Sequence, residues 1–439
     1  MNVALATTDT GSALDAAFAA ACERLPATGK VAELRRQALE AFERAGLPHR
    51  RIEDWKYTDL RVLIREVLPL VAAPDTAALK RAEAALKAGA IEGVRRLVLV
   101  DGAFAPALSD LGSLEKGLGI RPLREALDDS ALQAELFSPD TSNPMVALNS
   151  AMLTDGVVIE IDDGAVLARS LHIVHIAAGA VSSSMYTRSL LRLGKAASAT
   201  LVESYVAADG AKAYQAHDSL VIAIGDNARL DHVRLVEDAV DAVNISSAVV
   251  TLGAHAHFNT FGLTSGAAVS RYQANIVFAG EGARVETNGV NLIKGRQHAD
   301  TTLLMDHAVP NCASREVFRA VLDDSAHSVF QGRIVVRPDA QKTDAKMMTR
   351  ALLLSDDAEA DNKPELEIFA DDVTCGHGST SGALDESLLF YLRARGLPEK
   401  EAQALLIQAF VGEAIESIAS DALREIATST AERWLGARS

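Results

Sequence analysis

The chain has 439 residues, 49 % hydrophobic and 23 % charged, with a formal net charge of −16 at pH 7. That length implies two or three domains and the apolar content excludes disorder. The acidic balance excludes wrapping nucleic acid or lying on an anionic membrane, which need a basic face.

Met1 to Ala21 lacks a basic n-region and is interrupted by Asp9 and Asp15. With no later run of about 18 apolar residues, the expected location is the cytoplasm, with no membrane partner. Stretches 12–25 and 30–45 are rich in Ala, Leu, Glu and Arg and are predicted helices, the second ending at Gly46 and Pro48. Leu34, Ala38, Ala41 and Phe42 give it one apolar stripe. The polar segment 49–58 follows, read as an ordered linker whose Trp55 and Tyr57 could pin it to a core. Residues 75–145 mix helical runs with one predicted strand, 97–100, which makes 1–150 a helical and mixed N-terminal domain.

From Gly156 the texture changes to short runs of Val, Ile, Leu and Thr between Gly, Asp and Asn turns. Predicted strands are 157–161, 171–176, 200–206, 219–224, 229–236, 247–252, 275–278 and 332–336, with no helix longer than about three turns among them. Gly225-Asp226-Asn227-Ala228-Arg229-Leu230 and Gly280-Glu281-Gly282-Ala283-Arg284-Val285 share one pattern of Gly, acid, any residue, Ala, Arg, aliphatic. Looser copies recur at intervals of about 25 to 30 residues or multiples of that, as in stacked coils that each bury an apolar side on the next. The pattern favours a β-helix-like solenoid over 151–370, with a β-sandwich as the competing architecture. After Asp371 the chain returns to helix, giving a C-terminal helical domain over 371–439. Asp385 caps a helix ending at Gly396, Pro398 opens another, and Ala402, Leu405, Leu406, Ala409, Phe410, Ile415 and Ile418 form the second one's expected apolar face.

Three cysteines, Cys22, Cys312 and Cys375, are too few for a disulfide framework or a four-cysteine metal site. Any cluster bound here needs ligands from elsewhere. Cys375-Gly376-His377-Gly378 is the most pointed segment chemically. On an extended strand a thiolate and an imidazole two residues apart face the same way and can reach one soft metal or sulfur species. The competing reading is a tight glycine turn between sheet and helix, with Cys375 merely buried. His255 and His257 share that spacing, whereas His172 and His175, three apart, point oppositely on one strand; Cys312, five after His307, is a weak signal. No Walker A run, dinucleotide fingerprint or His-Glu-x-x-His occurs. A stand-alone β-helix carbohydrate-active enzyme would need clustered acids, and 5 % aromatic residues argues against a sugar-stacking groove.

Phe330-Gln331-Gly332, Gln341 to Ala345, Leu352 to Ser355, Pro364 to Ile368, Asp371 to Thr380 and Leu389 to Gly396, taken in order, resemble the SufB/SufD family of SUF-system iron-sulfur cluster assembly scaffolds. Trp55-Lys56-Tyr57-Thr58 is similar to the N-terminal signature of its SufD branch, as is the Cys-Gly-His-Gly run. SufB-like chains place a key cysteine where this one reads Asp356-Asp357-Ala358-Glu359-Ala360, and its absence favours the SufD branch; a SufB-like paralogue is the alternative. The run Lys346 to Arg350 departs from the family's Tyr-, Gln- and Asn-rich segment.

The resemblance implies a mainly β protein, a right-handed parallel β-helix between helical N- and C-terminal parts, acting as a scaffold and not an enzyme. It implies pairing with a SufB-like paralogue through the core and docking of a SufC-like ATPase on the C-terminal helices, with Phe390, Arg395, Leu405 and Phe410 as contact residues. ATP-driven closure of two ATPase subunits would open the paralogue interface, where persulfide sulfur and iron meet. His377, with Cys375 beside it, is the matching metal ligand there. No cofactor is expected on the chain alone, the iron-sulfur cluster being held transiently between partners; a homodimer in isolation stays open.

Overall fold

A computed structural model describes residues 10–64, 67–127, 129–137 and 143–438, so the first nine residues of the N-terminal segment lie outside the described residues. Strands from Val157 to Gly382 follow one another with no helix between them and alternate between two sheets. In one sheet Arg229–Glu237 pairs in parallel with His257–Thr264, followed by Arg284–Ile293, Ala313–Leu322, Asp344–Leu353 and Thr374–Gly382. In the other, Tyr214–Ile224, Val243–Leu252, Val269–Phe278, His298–His307, His327–Val336 and Glu359–Ile368 stack the same way. A chain that visits each sheet in turn and advances one strand per visit is a coil. The core is therefore a parallel β-helix and not a sandwich, whose antiparallel sheets are built from Greek-key and hairpin connections.

The recurring Gly-acid-x-Ala-Arg pattern is one corner of each coil. Its third residue takes a left-handed backbone, with φ of 59° at Asn227, 55° at His255, 73° at Gly282, 62° at Asn311 and 64° at Lys342. That twist turns each amide along the stack: Asn227 donates to Ala254 O at 2.8 Å, His255 to Glu281 O at 2.8 Å, and Asn311 to Gln341 O at 2.9 Å. Coils approach so closely that a Cβ on Gly280 would lie 1.9 Å from the Ala254 nitrogen. The next residue faces inward and is small: Ala228, Ala256, Ala283 and then Cys312, all buried. Cys312 thus occupies an alanine position, and Cys312→Ala is expected to change stability by less than about 1 kcal/mol in urea unfolding and to leave cluster formation unchanged.

Inside the coils Leu201, Leu220, Ile222, Leu230, Val250, Phe258, Ile276, Leu303 and Ile334 form the main core. The first end of the helix is capped from the N-terminal region, since Arg95–Val100 extends one sheet in parallel and Leu118–Pro122 closes the other antiparallel. Helix Gly29–Ala45 packs on Pro144–Met152. Buried Arg35 ties them by donating to the carbonyls of Ala151, Leu25 and Leu153 at 3.1, 2.7 and 2.9 Å.

The segment around Trp55 is clamped rather than linking. Trp55 is buried with the Arg271 guanidinium 3.9 Å over its ring, Arg271 donates to Asp54 O at 2.7 Å, and the Thr58 hydroxyl donates to Asp300.

Three helices, Glu386–Ala394, Glu399–Ile415 and Asp421–Gly436, close the chain. Asp385 caps the first, accepting from Ser387 and Leu388 amides, as its sequence predicts. The return to helix comes after Gly382 rather than after Asp371, because Thr374–Gly382 adds one more strand. The last two helices cover the outer face of one sheet, where Val233, Leu235, Phe261, Leu263, Val290 and Leu292 meet Val411, Ala414, Ile415, Leu423 and Trp434. In Glu399–Ile415 the buried set is Ala402, Ile407, Val411, Ala414 and Ile415, while Leu405 and Ala409 are exposed. The helix is apolar on more than one side: of the expected face Ala402, Ile415 and Ile418 are buried and Phe410 packs partly against the same cluster, while Ile407, Val411 and Ala414 supply the rest of the buried side. Among the described residues no helix is long and apolar enough to cross a membrane.

Candidate functional site

At the far end of the β-helix, among the described residues, no further strand pairs with the last coil: Glu359–Ile368 and Thr374–Gly382 each have a single strand neighbour. Cys375 pairs with Ala345 and His377 with Met347, both buried core residues of the preceding coil. Side chains alternate along a strand, so Cys375 and His377 share the inward-facing side, and Cys375 packs against the core cluster while His377 is exposed. The strand reading of this segment holds, and the glycine-turn reading does not. The intervening glycines take the opposite side, where a Cβ on Gly378 would lie 2.8 Å from the Met348 methyl carbon.

Burial pushes the Cys375 thiol up, opposed by the Ala345 backbone hydrogen bond and helped by the charges of Asp344 and Glu316. At neutral pH it is a thiol rather than a free thiolate, so it ligates only when a bound metal displaces its proton. Glu316, buried in the same stack two strands back from His377, has its carboxyl raised to about 8 by burial. Sequence gave no sign of this, because Arg315-Glu316 reads as an ordinary exposed charged pair until the strand's facing is known.

The other sequence candidates separate. His255 lies in a left-handed corner and His257 begins the next strand, so they share no strand face. His172 bonds the Ser204 hydroxyl at 2.8 Å, and His175 stacks on Tyr205 with ring centroids 4.5 Å apart. His307 stacks on Phe278 at 4.1 Å, away from any ligand role with Cys312. On the C-terminal helices Phe390 is 74 % and Leu405 46 % exposed. Exposed Arg395 lies 5.0 Å over the Tyr391 ring, and Phe410 is half-buried with the Arg319 guanidinium 5.5 Å from its ring. The four expected contact residues therefore do not form one free surface.

Fold and site define a capped-and-open β-solenoid, with helices on one flank and a thiol and an imidazole at its unpaired end. Residues 175–410 match the model of the SUF system FeS cluster assembly SufBD core domain, and residues 23–173 that of the SufBD protein N-terminal region. The chain is 32 % identical to the iron-sulfur cluster assembly protein SufD of Escherichia coli, with 89 % of each chain covered. It is 30 % identical to a SufBD family iron-sulfur cluster assembly protein of Synechocystis, covering 85 % of this chain and 84 % of the other. To SufD of Bacillus subtilis the identity is 26 % over 91 % and 93 %. The chain belongs to the SufBD family of SUF-system iron-sulfur cluster assembly proteins.

Proposed function

We propose that this chain is a cytoplasmic, non-enzymatic scaffold subunit that pairs with a SufB-like paralogue at the open end of its β-helix and carries a SufC-like ATPase on its C-terminal helices. The nascent cluster, as cargo, is held between the two paralogues with His377 as one ligand and Cys375 beside it. The observation that carries this reading is the unequal protection of the two free edges. Glu359–Ile368 carries Glu359, Asp361, Lys363, Glu365 and Glu367 at every second position, with Pro364 between them. Charges and proline at alternate positions block pairing with a further strand. Thr374–Gly382 has neither, only Thr, Cys, Gly, His and Ser. An unguarded edge is a template for strand addition by another chain.

The test is retention of both partners on this chain after co-expression with SufB-like and SufC-like proteins. Lysines at Thr374 and Thr380, both exposed, should guard the edge and release the paralogue while the ATPase stays. Full retention of the paralogue by that variant, or no partner bound to the wild type, overturns the reading.

Exposed Phe390, Tyr391, Leu388 and Leu405 offer the apolar surface for the ATPase. Phe390→Asp or Leu405→Asp is expected to abolish ATPase retention while changing stability by less than about 0.5 kcal/mol, as surface substitutions do. Circular dichroism melting alongside the pull-down checks it. Phe410 is left out because, seated on Arg319, its replacement acts through folding.

A further inference from the structure

Among the described residues two groups of histidine and carboxylate side chains outside the Cys375 region converge closely enough to share an ion, with one ligand atom of each member within 4.8 Å of the others. The first, His175, Glu203 and Asp218, is sealed inside the coils and already satisfied. Tyr205 OH shares its one proton between Asp218 Oδ2 at 2.9 Å and Glu203 Oε1 at 3.3 Å, Thr187 bonds Asp218 Oδ1, and His232 Nε2 bonds Glu203 Oε2 at 2.8 Å. All four carboxylate oxygens have partners there, so the group is a closed structural network.

The second group differs in each respect. His327, Glu359 and Asp361 lie on the outer face of the last two strands of the other sheet, where Glu359 pairs with His327 in register. His327 Nε2 is 2.8 Å from Asp361 Oδ2, with the two side chains 23 % and 29 % exposed. Among the described residues neither Glu359 nor Asp361 is ion-paired to a lysine or arginine within 4 Å. Beside them stands His298, its ring edge-on to His327 with centroids 4.8 Å apart. Thr58 donates its hydroxyl proton to Asp300, so its oxygen accepts from His298 Nε2 at 3.0 Å. Two carboxylates and an imidazole thus share one outer-face patch, with no lysine or arginine paired to either carboxylate among the described residues.

We propose that His327, Asp361 and Glu359 bind one divalent first-row transition-metal ion at the rim of the open end. One nitrogen and two carboxylate donors suit ferrous, manganous or zinc ions rather than a soft thiophilic ion, with water completing the shell. Binding replaces the proton between His327 and Asp361, and rotation of exposed Glu359 brings its oxygen to the roughly 2.0 to 2.2 Å of such bonds. That the physiological ion is ferrous iron awaiting incorporation into a cluster rests on the scaffold reading above; the site itself does not.

The test is anaerobic titration of the full chain alone with Co(II), followed by visible d–d absorption and by competition with Fe(II). The expected result is one equivalent bound without the intense near-ultraviolet band of a thiolate ligand, in wild type and in the Cys375→Ala, His377→Ala double variant alike. His327→Ala and Asp361→Asn should each weaken it by at least about tenfold, no less than the loss typical of an outer-shell partner. Glu359→Gln, on an exposed side chain that cannot unfold the core, should weaken it as well. Unchanged binding in Asp361→Asn and Glu359→Gln overturns the proposal, as does binding that vanishes with Cys375 and His377. Because no partner is present, this outcome is separate from whether the chain pairs with a SufB-like protein.

Discussion

His377→Ala is expected to leave the complex with a SufB-like paralogue and a SufC-like ATPase assembled while its iron-sulfur content falls by about tenfold or more. The side chain is exposed and its strand neighbour Met347 packs inward without it, so removing the imidazole opens no cavity in the core. The loss should fall on ligation alone. Three cysteines, of which Cys312 serves as a corner alanine, cannot complete a four-ligand site within one chain. An exposed imidazole on an unguarded edge is then the donor this chain has to offer a cluster shared across that edge.

Two companions sharpen the result. His377→Gln keeps a hydrogen-bonding amide of similar reach but does not ligate iron as imidazole does, so it should behave as alanine does; recovery of cluster by Gln would assign a hydrogen-bonding role instead. Cys375→Ala should have the smaller effect, since its thiol is held protonated by burial. Absorbance and iron and sulfide analysis of the purified co-expressed complex measure all three, and wild-type cluster content in His377→Ala would remove it from the site.

The coil architecture was legible because the corner is chemically repetitive: Gly225 and Gly280 are forced by close stacking, Asn227 and Gly282 by a left-handed turn, and Ala228 and Ala283 by the inner space. Such positions constrain residue type whatever the rest of the coil does. Several strands escape the sequence reading, and two of them carry charged outer faces. Asp344–Leu353 reads Asp-Ala-Lys-Met-Met-Thr-Arg-Ala-Leu-Leu, and Glu359–Ile368 contains five charged outward residues and a proline. These look like loop or helix until parallel neighbours supply their hydrogen bonds. Of the candidate site, the shared facing of Cys375 and His377 followed from spacing once extended backbone was assumed. The His327, Asp361 and Glu359 convergence did not, because it joins successive coils 32 residues apart at His327 and Glu359 through a register that no local pattern encodes.

Asp300→Ala is expected to be the most damaging single change on the outer face of that sheet, at about 3–5 kcal/mol, the usual cost of leaving one member of a buried ion pair behind. Asp300 and Arg271 are both fully buried, and their pair holds the N-terminal segment in place. Asp300 also accepts from Thr58 and, at 3.0 Å, from Thr302. Arg271 in turn supports the Trp55 ring and the Asp54 carbonyl. Without the carboxylate, a desolvated guanidinium is stranded under Trp55, and the cheapest relief is for residues 49–58 to lift and let water in. Since a stacked-coil protein need not unfold in one step, the measurement is local: trypsin cleavage at Arg50, Arg51 and Lys56 followed by mass spectrometry. Those bonds should be resistant in wild type and cut rapidly in Asp300→Ala. The double change Arg271→Met with Asp300→Leu removes both charges and should recover most of the resistance, because an apolar pair of similar volume is tolerated where half an ion pair is not. Equal resistance in Asp300→Ala and wild type would show that the Trp55 clamp stands on packing alone.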